Sequence, residues 1–263
     1  MVREFFESIG YISIHFVESM GRMVLFLVFG IMNIFMPPFQ FNKILEHIWF
    51  IGAKSMLVII LTGLFTGMVL GLQGYYTLSN FGSEGALGSV VALSLIRELG
   101  PVLAAFMITA RAGSAIAAEI GVMRISEQVD ALETMSINPI KFLFSPRLIA
   151  ALISFPLLTA LFDAVGIFGG YLSGALMTNA NKGIYAQKVI QSVVMQDVTE
   201  GFVKAFVFGV IVTTICCYQG YYTHINNRGE YGARGVSLST TNAVVTSCVL
   251  VLVFDYIITY LLM

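Results

Sequence analysis

The sequence predicts an all-α integral membrane protein, and three observations carry that prediction. Its 263 residues are 57% apolar and only 11% charged, with a mean hydropathy of +0.87, whereas a soluble domain carries about a quarter charged residues. The apolar residues gather into runs as long as a membrane helix requires, about 20 residues. Those runs lack the period-two alternation of barrel strands. The same composition excludes an ordinary cytosolic enzyme and a disordered chain. Fourteen Lys and Arg against fifteen Asp and Glu leave no basic excess to grip nucleic acid. Cys216, Cys217 and Cys248 lie in apolar runs and read as packing residues, so neither a disulfide framework nor a metal site is expected.

The chain opens on an amphipathic helix. Arg3, Glu4, Glu7, Tyr11, His15, Glu18 and Arg22 recur mostly at three- to four-residue spacing, with Phe5, Ile9, Ile12 and Phe16 on the other face. That pattern suits a helix lying in the interface plane. Residues 23–36 follow as an uncharged run of 14, ended by Pro37-Pro38. At 1.5 Å per residue the run is about 21 Å long, short of the roughly 30 Å of hydrocarbon. It reads as a half-inserted elbow helix, with a sixth span as the alternative. The leading acids and the lack of an A-x-A-like cleavage site disfavour a signal peptide.

Five spans then follow in one domain, so that residues 1–38 form the interfacial elbow region and residues 55–263 a five-span bundle. The first span, 55–83, carries no charge; the second, 85–118, carries Arg97, Glu98 and Arg111. The third, 148–181, carries only Asp163; the fourth is 205–227; the fifth, 235–263, carries only Asp255. Asn138-Pro139 is expected to stop a short cytoplasmic helix, and Ser145-Pro146 to cap and start the third span. Between the third and fourth spans, Ile184, Val189, Ile190, Val193 and Val194 oppose Gln187, Lys188, Gln191 and Gln196, as in a short helix on the outer surface.

Lys and Arg placement sets the orientation. Arg3, Arg22, Lys43 and Lys54 precede the first span, and Arg111, Arg124, Lys141 and Arg147 fall in 111–147, whereas 80–88 has none. The N-terminus and the 111–147 segment are therefore expected in the cytoplasm and the C-terminus outside.

Three features point to function. Gly63, Gly67 and Gly71 on the first span, and Gly166, Gly170 and Gly174 on the third, are spaced by four, which puts each set on one helix stripe where another backbone can approach. Packing within the chain is the simpler reading, and a dimer or moving seam the other. Arg97 and Glu98 lie inside a span, where charge normally faces a bundle interior or a water-filled cavity. Pro101 has no N–H to give the Arg97 carbonyl, so a kink with a free carbonyl is expected there. The pair is either an ion-pair lock or a polar patch on a substrate path, and Lys204 is a candidate partner for Asp163 or Asp255. Lastly, in the cytoplasmic segment 125–135, Glu127, Asp130 and Glu133 make an acidic stripe beside Val129 and Leu132. Such a helix is either a solvated loop helix or a dock for a soluble motor. The chain has no G-x-x-x-x-G-K-[ST] loop, so any ATP chemistry falls to a partner. His15, His47 and His224 stand apart in sequence and suggest no catalytic group.

Residues 94–105 (SLIRELGPVLAA) and 110–121 (ARAGSAIAAEIG) resemble the MlaE/YrbE permeases, the membrane subunits of ABC systems that work with MCE proteins. The likeness continues through 123–130 (MRISEQVD), Asn138-Pro139, Pro146-Arg147, residues 55–74, Gly166 to Gly170 and Phe254-Asp255-Tyr256. It implies a homodimer of five-span subunits with an N-terminal elbow helix and a cytoplasmic coupling helix, bound by a separate ABC ATPase that uses ATP and Mg. It implies phospholipid carried between a bacterial inner membrane and a periplasmic MCE protein, maintaining outer-membrane lipid asymmetry. By this likeness Glu127, Gln128, Asp130 and Leu132 belong to the coupling helix, and Gln73, Arg97 and Glu98 lie near the lipid path. The rival readings are an ATP-independent channel or secondary transporter that uses the intramembrane charges, and a scaffold for other membrane proteins.

Overall fold

The computed structural model describes residues 2–34, 40–176, 182–223 and 232–262, with the backbone alone at 2–13, 15, 16, 175, 176 and 182. Among the described residues there is no strand. The helices are α1 (Val2–Ile34), α2 (Phe41–Ile51), α3 (Met56–Ser79), α4 (Leu87–Ser94), α5 (Gly100–Ile108), α6 (Ser114–Ile125), α7 (Gln128–Thr134), α8 (Pro139–Tyr171), α9 (Lys182–Ser192), α10 (Met195–Tyr221) and α11 (Ala233–Leu262). Among the described residues six segments are long and apolar enough to cross a membrane: Val17–Ile34, Phe41–Ser79, Glu84–Ile125, Pro139–Gly174, Met195–Tyr221 and Ala233–Leu262.

The bundle is held chiefly by backbone proximity between α3 and α8. A Cβ on Gly67 would overlap the Gly166 carbonyl, one on Gly71 would stand 2.6 Å from Gly170 O, and one on Gly63 3.0 Å from Phe162 O. From the other side, a Cβ on Gly174 would lie 3.0 Å from Gly71 O. The two glycine stripes thus face each other within one chain. At Gly67 even a single methyl has no room. Phe162 is fully buried at this seam, and Phe144, Phe155 and Phe208 are fully buried elsewhere in the bundle. α9 closes one end: Tyr185 is buried and donates to Ile167 O at 3.0 Å, and burial holds its phenol above the usual range.

The helix boundaries depart from expectation at several places, one of them α10, which begins at Met195 rather than at Ala205. α1 is one continuous helix rather than an interfacial helix followed by a separate run; Arg22 pairs with Glu18 one turn back at 3.2 Å, and nothing at residues 22–23 interrupts it. α8 begins at Pro139, not at Ser145-Pro146. Asn138 Oδ1 accepts from Ile140 N at 3.0 Å and Lys141 N at 3.3 Å, which makes Asn138 the cap and Pro139 the first helical residue. Ser145 is then internal and buried, its hydroxyl 3.5 Å from Gly30 O. The second span is three helices joined by π turns, Leu95–Leu99 and Thr109–Gly113. A third π turn, Leu172–Leu176, follows α8. The polar side chains of Arg3, Glu4, Glu7, Tyr11 and His15, together with Pro37-Pro38, His224 and Arg228, lie outside the described residues.

The contacts of α1 gather at one end of the bundle. Ser19 lies against Tyr218, with Oγ 3.3 Å from its hydroxyl; the Phe26 ring meets Phe144 at 5.1 Å and Tyr221 at 5.9 Å; a Cβ on Gly30 would collide with Phe144. Phe144 lies in the second turn of α8 and Tyr218 in the last turn of α10, so Ser19, Phe26 and Gly30 all pack on the end that also carries Lys43, Lys54, Arg124 and Arg147. We call this the basic end and the opposite one the far end.

Candidate functional site

At the far end, the start of α10, the close of α11 and the π turn between α4 and α5 bring five charged side chains together. Arg97 sends Nε and Nη2 to one oxygen of Asp197, each at 2.7 Å. The other Asp197 oxygen accepts from Val194 N at 3.0 Å, capping α10. Asp197 is buried, so both its oxygens are engaged inside the protein, while the Arg97 side chain stays 45% exposed. Arg97 is thus aimed outward from a fixed anchor.

Glu98 points elsewhere, as neighbours about 100° apart on a helix must. It accepts from Lys204 Nζ at 2.8 Å and from the Thr259 hydroxyl at 3.2 Å. Lys204 is 2% exposed and also donates to Arg97 O at 2.8 Å. That is the carbonyl orphaned by Pro101. The helix meets the proline by widening into a π turn, and the freed acceptor takes an ammonium proton. Asp255 Oδ1 stands 3.1 Å from the same ammonium, at ion-pair distance. Lys204 therefore partners Asp255 and not Asp163. The Asp163 Oδ1 is buried without a partner among the described residues and presses on Gly100, where a Cβ would overlap it.

These groups border a cavity of about 240 Å³ lined by Arg97, Glu98, Asp197, Glu200, Lys204 and Thr259. Two cations and four carboxylates surround or face it, counting Asp255. Gln73 is not among its lining residues; it is exposed on α3, its carbonyl accepting from Thr77 Oγ1 at 2.9 Å. Asp197 and Thr259 escaped the sequence reading. The signal for Asp197 was an acid at the third position of a helix whose start the pattern did not fix.

At the basic end, α7 is a short helix entered through a left-handed residue, Glu127, at φ 59°. Val129 is its buried anchor. The acidic stripe is not all free: Asp130 pairs with Arg124 at 2.7 Å, and Glu133 accepts from the Tyr221 hydroxyl at 3.4 Å. Glu127, Gln128 and Ala131 are exposed, and Leu132 is half-buried. Arg147 on α8, 3% exposed, pairs with Glu119 on α6 at 3.0 Å. Arg111 reaches the Phe50 carbonyl and stacks 4.8 Å from its ring.

Among the described residues no group of three His, Cys, Asp or Glu side chains is placed to hold a metal ion. A multi-pass helical bundle with a charged cavity at one mouth and a short polar helix at the other has the build of a membrane permease, a subunit that carries rather than catalyses. The family model described as "Permease MlaE" matches residues 44–261, and the chain belongs to that family. It is 45% identical over 254 residues to a probable ABC transporter permease protein of Rickettsia typhi, covering 97% of this chain and 96% of the relative. It is 40% identical over 262 residues to the intermembrane phospholipid transport system permease protein MlaE of Haemophilus influenzae, covering 98% and 97%. A plant relative, the chloroplastic protein TRIGALACTOSYLDIACYLGLYCEROL 1 of Arabidopsis thaliana, is 34% identical over 232 residues, which cover 87% of this chain and 63% of that one.

Proposed function

We propose that this chain is the permease subunit of an ATP-driven phospholipid transporter of a bacterial inner membrane, acting as a homodimer with a separate ABC ATPase and a periplasmic MCE protein. The observation that carries the reading is the far-end cavity. It offers a half-exposed guanidinium held by a buried carboxylate, beside the part-exposed Glu98 and Glu200. A zwitterionic head group carries the complementary pair, a phosphate for Arg97 and an amine for the acids. The named activity of the Haemophilus influenzae relative agrees. Gln73 joins this path on the exposed face of α3, where Leu61, Phe65 and Val69 are also bare, so a second subunit would complete the cavity there.

The ATPase docks at α7, through Glu127, Gln128 and Leu132, with Asp130 holding the helix to Arg124. The contacts of Ser19, Phe26 and Gly30, all made with residues of the basic end, support an elbow that does not cross the bilayer. The N-terminus faces the cytoplasm and the C-terminus the periplasm. The test is reconstitution in proteoliposomes with the co-purified ATPase, measuring lipid transfer to an MCE acceptor. Transfer that requires ATP is expected. Transfer driven by a proton gradient without ATP would establish a secondary transporter instead.

A further inference from the structure

A second cavity, of about 230 Å³, lies between α8 and α10 beside the π turn Leu95–Leu99. It shares no lining residue with the charged cavity. Most of its wall is apolar, including Ile96, Pro156, Ile167 and Phe202. Thr159 and Asp163, one turn apart on α8, also line it, and Thr159 is 4% exposed. Asp163 Oδ1 is sealed and presses on Gly100. Asp163 Oδ2 and the Thr159 hydroxyl likewise have no hydrogen-bond partner among the described residues, but neither is sealed. A third acceptor comes from the backbone. Gly100 N–H goes to Leu95 O and Pro101 has no N–H, so the Ile96 carbonyl is left without a helical donor. It lies against Gly201 of α10, where a Cβ would stand 2.7 Å from it, and Ile96 and Gly201 both line the cavity.

We propose that this cavity binds a primary ammonium, presented by a zwitterionic phospholipid of the leaflet at the far end. The polar groups choose the ligand. The carboxylate and the carbonyl only accept and the hydroxyl can accept, while a primary ammonium brings three donors and no acceptor. The neighbouring acids each face a cation: Glu98 and Asp255 share Lys204, and Asp197 holds Arg97. Asp163 faces none among the described residues, and an acid inside a span calls for a partner. Gly201 stands about 9 Å along α10 from Met195, and Ala164 and Phe202, which line the cavity, are exposed. A head group folded in from the interface therefore reaches the acceptors while its acyl chains stay against apolar wall. A soluble amine offers the same chemistry, and the test separates the two sources. The inference does not depend on the transport reading.

The test uses the full-length chain in its native complex, with benzoylphenylalanine in place of Phe202, in vesicles of phosphatidylglycerol and one zwitterionic lipid. Photocrosslinking to phosphatidylethanolamine is expected. It should fall about tenfold, the weight of one hydrogen bond to a charged group, with phosphatidylcholine, whose ammonium has no N–H. The mono- and dimethylated lipids should lie between. Asp163→Asn keeps the shape of the side chain without its charge and should cut the ethanolamine-lipid crosslink to the choline-lipid level. Equal crosslinking of the two lipids by the wild type would overturn the proposal without any variant, and so would full crosslinking in a folded Asp163→Asn chain. In phosphatidylcholine vesicles, ethanolamine should leave the unfolding midpoint of the wild type where it was. A rise absent in Asp163→Asn, with no phosphatidylethanolamine crosslink, would overturn the lipid as the source in favour of a soluble amine. An equal rise with sodium chloride would overturn the ammonium itself.

Discussion

Replacing Lys204 by Met isolates the ammonium at the centre of the far-end cluster. The side chains are similar in length, so packing is nearly kept, but three acceptors lose their donor: Glu98 at 2.8 Å, Arg97 O at 2.8 Å and Asp255 at 3.1 Å. Lys204 is essentially sealed from solvent and Asp255 is 17% exposed, so the loss is not repaired by bulk water. Removing one partner of a buried pair costs about 3–5 kcal/mol, because the remaining charge keeps its desolvation penalty. Glu98 is half open and retains Thr259, which places the expected loss near the lower figure, about 3 kcal/mol. For a chain of this size that corresponds to a fall of about 6–12 °C in unfolding midpoint. The assay is thermal unfolding of the purified chain in one detergent, beside a Lys204→Met/Asp255→Leu double variant. The double variant should recover part of the loss, since the stranded carboxylate is gone. A midpoint for Lys204→Met within a degree of wild type would refute the reasoning, and so would a double variant less stable than the single one.

Three further outcomes follow from the packing. Gly67→Ala should lower the yield of folded chain sharply, because the added methyl meets the Gly166 carbonyl rather than a side chain that can turn away; overpacking of this kind costs about 1–3 kcal/mol or more, read as loss of the monodisperse peak on size exclusion. Gly100→Ala should be rescued in part by Asp163→Ala, since the carboxylate occupies the missing Cβ position; the check is the midpoint of the double variant against Gly100→Ala alone. Glu127→Lys or Leu132→Asp should weaken co-purification of the ATPase several-fold with the chain still folded, whereas Asp130→Lys should also lower the stability of α7 by breaking the Arg124 pair; pull-down and thermal unfolding together separate the two effects.

The spans were legible because each is an apolar run too long for anything else, and the glycine stripes because four-residue spacing has one geometric meaning on a helix. Boundaries were less legible. Asn138-Pro139 is at once a plausible stop and a cap followed by a first-turn proline, and only the side-chain bonds to Ile140 N and Lys141 N decide between them. The anomaly of Arg97 and Glu98 was visible as charge in an apolar run. Its resolution was not, because the partners Asp197 and Thr259 lie 100 and 161 residues away.

If the far-end cavity handles lipid rather than merely locking the bundle, loss of Arg97 should impair transfer and spare assembly. The most direct measurement compares wild type with Arg97→Ala in the reconstituted complex, recording complex yield, bound lipid and ATP-dependent lipid transfer side by side. Arg97 is half exposed, and Asp197 keeps its Val194 capping bond without it. Intact complex is therefore expected, with transfer and lipid occupancy reduced at least tenfold. Loss of complex in proportion to loss of transfer would contradict it and leave Arg97 a structural residue.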